Sequence, residues 1–155
     1  MNVLLLVKAS AKVATARLWF YQMYKLLNDR GLNVYLNDFN LPSYDIIILL
    51  WSDLDLIKKA VEHSPKAHIG IFNPGNLGFG DHPIHKENVN KTKLIIDNVD
   101  FFMVYSFMWK DMIIKYGKRV YEIFDYEFPE TKTIKNHSKR NELIIGYHGN
   151  QDHYS

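Results

Sequence analysis

Residues 73–85 are the most distinctive stretch of the chain, with three glycines, two prolines and two histidines. A long loop without structure of its own is usually functional or disordered. Asp81, His82 and His85 have the types that ligate metals, but one H-x-x-H with a neighbouring carboxylate in a Gly-rich loop lacks helical preorganisation. No metal site is expected there. His82 is instead a weak catalytic candidate, as a general base toward a hydroxyl or as a hydrogen-bonding substrate contact, against the plainer reading of a solvated loop histidine. Near the amino terminus, Lys8, Ser10 and Lys12 follow an apolar run and lead into a helix whose first amides, helped by the lysines, could hold an anion. The alternative is that Ser10 only caps the helix and the lysines are solvated. No glycine stands in this loop, and without G-x-G-x-x-G or G-x-x-x-x-G-K-[ST] dinucleotide and P-loop chemistry are set aside. Arg17, in the second turn of that helix, suits carboxylate or phosphate recognition, or lies on the surface over Tyr21. At the far end, Gly146 and Gly149 flank Tyr147-His148 after an apolar run, where glycines let backbone amides approach a phosphate. His148, Asp152 and His153 invite a metal reading but equally suit a fraying tail.

Composition narrows the setting for this chemistry. The chain has 155 residues, 47% hydrophobic and 23% charged, an ordinary globular mix that argues against wholesale disorder or a fibrous rod. At this length one self-sufficient core is expected and a second domain must be incomplete. Nineteen basic residues against seventeen acidic ones leave a formal charge of +2, too balanced to attract nucleic acid or an anionic membrane by bulk charge. Neither partner is expected. With no cysteine, thiol nucleophiles, redox pairs, disulfides and Cys-ligated zinc are excluded, and a cytoplasmic location is expected. No stretch approaches the run of apolar residues that a membrane helix needs. Aromatic content is 14%, so some rings are expected to cover a surface that a partner or second domain buries.

The elements that must position these residues alternate along the chain. Apolar runs over 3–7, 32–36, 46–50, 67–72, 100–105 and 119–123 read as strands. Between them, helical spacing from Val13 to Leu27, ended at Gly31, and from Asp53 to His63, stopped near Pro65, predicts helices. Further helices are expected over 86–98 and after Ser106, closed by Gly117. Strands separated by helices imply βαβ units, and hence a doubly wound α/β domain with a mainly parallel sheet and helices on both faces. Residues 128–141 are polar and basic and read as a linker; 142–155 hold one more strand and a Gly loop.

Three stretches resemble the amino-terminal half of a GT-B-fold glycosyltransferase of the large retaining group that includes sucrose and glycogen synthase-type enzymes. Ala16-Arg17-Leu18-Trp19-Phe20 through Asn28-Asp29-Arg30-Gly31-Leu32-Asn33-Val34 resembles the family's first helix and its "L-x-x-R/K-G-H-x-V" turn. Val99-Asp100-Phe101-Phe102-Met103-Val104-Tyr105-Ser106 to Tyr116-Gly117 resembles its "A-D-x-x-I-x-x-S" strand and helix. Ile144-Ile145-Gly146-Tyr147-His148-Gly149-Asn150 is similar to the first strand and Gly loop of the donor-binding domain. The resemblance implies a Rossmann-like amino-terminal domain over 1–127, the linker, and the start of an incomplete second domain.

It also implies an activity: transfer of a sugar from a nucleotide-sugar donor to a hydroxyl acceptor, a glycan above all, with no further cofactor. Ser10, Arg17, Asn73 and Gly75 would line the acceptor side and Gly149 would approach the donor diphosphate. Two departures stand out. Lys8-Ala9-Ser10 replaces the Gly-Gly many members carry in the first loop, and Asn73 stands where many have a histidine. The rest of the donor domain is absent, so transfer by this chain alone is not expected. The competing reading is a non-catalytic Rossmann-like binding or assembly module; a flavodoxin-like carrier ranks third, since the loop after the first strand lacks a glycine for a flavin phosphate. The strand over 143–147 is expected to be disordered, to add to a sheet edge, or to pair with another copy of the chain.

Overall fold

The computed structural model describes residues 1–12, 16–74, 89–104 and 107–123. All of them belong to the unit Met1–Asp125; the second unit, Tyr126–Ser155, lies outside the described residues, as do the linker and the strand expected over 143–147. Six strands are described: β1 (Asn2–Leu6), β2 (Asn33–Leu36), β3 (Ile46–Leu50), β4 (His68–Phe72), β5 (Phe101–Val104) and β6 (Arg119–Glu122). They form one sheet in the order β2-β1-β3-β4-β5-β6, and every pairing is parallel. The helices are α1 (Gln22–Asp29), α2 (Leu54–His63), α3 (Val89–Asn98) and α4 (Phe107–Ile114). The fold is the doubly wound α/β class expected.

Strand alternation sorts the apolar residues into two cores. Leu4 and Leu6 of β1, Ile47 and Leu49 of β3, and Phe102 and Val104 of β5 face one side, where Ile57 and Ala60 of α2, Ile95 and Ile96 of α3 and Ile113 of α4 cover them. Val3, Leu5, Leu50 and Phe72 face the other side, packed with Ala16 and Phe20. Burial on both faces is why β1 and β3 carry unbroken apolar runs rather than an alternating pattern. Each fully buried Leu or Ile contributes roughly 1.5–3 kcal/mol of transfer free energy.

The start expected for the first helical segment falls at residues 13–15, outside the described residues. Residues Arg17–Tyr21 form a π-helical turn that runs into α1, with the Gln22 N–H donating to the Arg17 carbonyl. The Ser10 hydroxyl accepts from the Lys12 N–H at 3.3 Å. The end of α1 is as expected. Gly31 has φ +80°, the Gly31 N–H donates to the Asn28 carbonyl and the Leu32 N–H to the Leu27 carbonyl, which together make a Schellman cap.

The amino edge of the sheet is held by side chains that serve the backbone. Asp45 accepts from the Asn2 N–H at 2.6 Å, and Asp100 accepts from the Ile69 N–H at 2.8 Å. His63 Nε2 lies 3.2 Å from the Phe39 carbonyl and Nδ1 lies 2.9 Å from Ser64 Oγ. These groups are engaged in holding strands and loops together. Chemistry is therefore sought at the carboxyl edge.

Gly70 is required by a close approach rather than by its backbone. A Cβ at Gly70 would stand 2.1 Å from the Phe101 ring, which lies across β4 from β5 and meets Tyr121 edge-on at 5.7 Å. Gly70→Ala is expected to displace that ring and lower stability by about 1–2 kcal/mol, an overpacking cost. In thermal denaturation the double variant Gly70→Ala/Phe101→Ala should lose less than the sum of the two single losses, because removing the ring removes the clash.

Candidate functional site

In an open parallel sheet, ligands bind beyond the carboxyl ends of the strands where the chain's connections diverge. Here the connection out of β1 runs toward β2 and the one out of β3 runs toward β4, so the divergence falls between β1 and β3. A cleft of about 390 Å³ opens beside that point, lined by Lys8, Leu50, Trp51, Ser52, Asp53, Leu54, Asp55, Leu56 and Lys91. Lys8 follows β1, residues 50–52 end β3, Asp53 to Leu56 begin α2, and Lys91 comes from α3.

Backbone devices fix each wall. The Asn37 side chain accepts from the Val7 N–H and donates to the Val7 carbonyl, both at 2.9 Å, so the residue before Lys8 is clamped from both sides. Asn37 itself has φ +52°. Asn73, directly after β4, also has φ +52°, and its N–H donates to the Met103 carbonyl at 3.0 Å. Asn tolerates this left-handed region. Trp51, directly after β3, does not share that tolerance yet has φ +69°. A bulky side chain there is a true outlier, a strain of roughly 1–3 kcal/mol. It is held because the Trp51 N–H donates to the Phe72 carbonyl at 3.0 Å and the Trp51 carbonyl accepts from the Asp53 N–H at 3.1 Å. Ser52 Oγ donates to the Pro74 carbonyl at 3.1 Å and so joins the end of β3 to the loop after β4.

Asp53 does two jobs. One carboxylate oxygen accepts from the Leu56 N–H at 3.0 Å, capping α2; the other meets the Lys8 ammonium at 2.6 Å. Partial burial pushes the Asp53 carboxyl up, but the hydrogen bond from Lys8 and the backbone N–H groups outweigh it and hold it below its ordinary value. The same hydrogen bond to Asp53 raises Lys8. Both groups therefore stay charged at neutral pH. Lys8 and Lys91 against Asp53 and Asp55 make the cleft charge-balanced.

Of the residues expected from the sequence, Lys8 lines the cleft and the other described ones fall elsewhere along the same edge. Ser10 and Arg17 are exposed, Arg17 within the π turn, and neither lines the cleft; the nearby Tyr21 hydroxyl donates to the Ala9 carbonyl at 3.3 Å. Asn73 is half-buried at the end of β4. Gly75, Asp81, His82, His85 and Gly149 lie outside the described residues. Among the described residues no group of three or more His, Asp or Glu is placed to hold a metal ion, and no helix is long and apolar enough to cross a membrane. Trp51, Ser52, Asp53, Asp55 and Lys91 were not singled out by type or spacing. Their signal is positional: Trp-Ser-Asp directly follows the most apolar run of the chain, where strand ends become binding loops.

Asp53→Asn should leave the cap in place and remove the ion pair, whereas Asp53→Ala removes both, so the alanine variant is expected to lose about 1 kcal/mol more than the asparagine one. The depressed Asp53 carboxyl contributes stability that is present above its ordinary value near 3.8 and lost as pH falls through its lower folded value. Chemical denaturation across the acid range should show that increment in the parent chain and not in Asp53→Asn.

Comparison with protein-family models, with curated proteins and with solved structures finds no match. What the chain does is therefore argued from the cleft and from the chemistry of its residues.

Proposed function

We propose that this chain is the acceptor-side domain of an enzyme that transfers a sugar from a nucleotide-activated donor to a hydroxyl of a glycan. The observation that carries the reading is the charge-balanced cleft at the β1/β3 edge. Its polar groups are hydroxyl, carboxylate and ammonium, which suit the donors and acceptors of a polyol. Among the described residues its cations are Lys8 and Lys91, and Lys8 is already taken up by Asp53 at 2.6 Å. A diphosphate placed there would face two carboxylates. The donor's phosphates accordingly belong to a partner domain, and this edge orients the acceptor, lowering the entropic cost of bringing two substrates together.

The three family-like stretches support the same assignment, two of them on described elements: the helix and Schellman turn that end at Gly31, and the β5 to Gly117 strand and helix. One observation favours the non-catalytic alternative. At the end of β4 stands Asn73, whose amide cannot exchange a proton as a base. A flavin carrier is disfavoured by Asp53 and Asp55, since a flavin phosphate at the β1/β3 edge would meet their charge.

The test is a calorimetric titration of the chain with nucleotide sugars and, separately, with neutral oligosaccharides. Saturable oligosaccharide binding without micromolar nucleotide-sugar binding is expected. Micromolar binding of a nucleotide sugar would overturn the division of labour between this domain and its partner.

A further inference from the structure

Among the described residues the cleft is lined by one aromatic residue, Trp51, and its backbone is held where tryptophan is rarely found. We propose that Trp51 is the platform on which one neutral pyranose ring of the acceptor stacks, with Ser52, Asp53 and Asp55 reading the hydroxyls around that ring. The inference rests on the sugar-transfer reading above and assigns that substrate's recognition to named residues.

Four observations converge on it. Trp51 is half-buried, packed against the core that holds Phe20 and Phe72, and it lines the cleft. The face of an indole is the negative pole of its quadrupole, and the C–H groups on one face of a pyranose are weakly positive, which makes the two surfaces complementary. At φ +69° the residue is strained, and strain of this kind persists only where surrounding contacts over-determine it; here the Phe72 carbonyl and the Asp53 N–H do so. A volume of about 390 Å³ lies at the small end of the range for small-molecule sites, which suits one or two rings of a longer saccharide.

Charge decides against an anionic occupant. With two lysines and two aspartates around it, the cleft offers no net attraction to phosphate, whereas a carboxylate that already accepts from Leu56 and Lys8 retains lone pairs for a sugar hydroxyl. Ser52 donates its hydroxyl proton to Pro74, which leaves its oxygen to accept.

The experiment measures binding of maltotetraose, cellotetraose, mannotetraose and xylotetraose by calorimetry in the parent chain, Trp51→Phe and Trp51→Asn. Asn is chosen because it accepts the left-handed backbone. At least one tetrasaccharide should bind the parent, Trp51→Asn should weaken it roughly tenfold or more, as truncating an anchoring aromatic does, and Trp51→Phe should recover most of the affinity. Because Trp51→Asn also removes packing, a second measurement uses Trp19→Phe/Trp109→Phe, in which Trp51 is the sole tryptophan of the original three. Its emission should shift on sugar binding. Equal affinity in Trp51→Asn, or an unchanged emission on saturation, overturns the platform and leaves the transfer reading standing. Failure of every tetrasaccharide at millimolar concentration also overturns the platform. Micromolar binding of a nucleotide sugar without any tetrasaccharide response overturns the transfer reading and this inference together.

Discussion

The contact between Lys8 and Asp53 spans the point where the connections of the sheet diverge, and the geometry of the carboxyl edge follows from it. One partner hangs from the end of β1 and the other begins α2 after β3. Because Asp53 is also the cap of α2, the same carboxylate fixes where the helix starts and where the lysine ends. Exposed ion pairs in general contribute little to stability, and Lys8 is more than half exposed. The significance of this pair is positional: it neutralises the cation that would otherwise draw a phosphate to the edge.

Neutralisation and strain act together at this site. Asn37 grips Val7 from β2, the Phe72 carbonyl holds Trp51 from β4, and Ser52 reaches the Pro74 carbonyl, so the cleft is built on loops tied to neighbouring strands. Under the proposed function, a site pinned in this way would suit a rigid ring better than a flexible chain. The amino edge, by contrast, uses Asp45, Asp100 and His63 to satisfy backbone groups and neighbouring side chains. On the proposed reading the two edges of one sheet divide between support and recognition.

Much of the fold was legible because local pattern and global burial agree. The run Ile46 to Leu50 is apolar throughout since both of its faces are covered, helical spacing from Asp53 to His63 marks α2, and Gly31 marks the end of α1 through its positive φ. What was not legible depends on contacts between distant residues. The helix around Phe20 includes a π turn that no spacing rule predicts. The Asn37 clamp on Val7 joins residues thirty apart. Trp51 is hidden for a stronger reason: its type argues against a left-handed backbone, and only the hydrogen bonds to Phe72 and Asp53 impose one. Strand order, from which the edge between β1 and β3 acquires its meaning, cannot be read from alternation alone.

Backbone amide shift mapping by NMR with a neutral tetrasaccharide tests the central claim most directly. The account predicts perturbations concentrated at Lys8, Trp51, Ser52, Asp53 and Lys91, with Asp45, His63 and Asp100 at the opposite edge unmoved. Perturbations confined to Ser10 and Arg17, or appearing only with a nucleotide sugar, would contradict it.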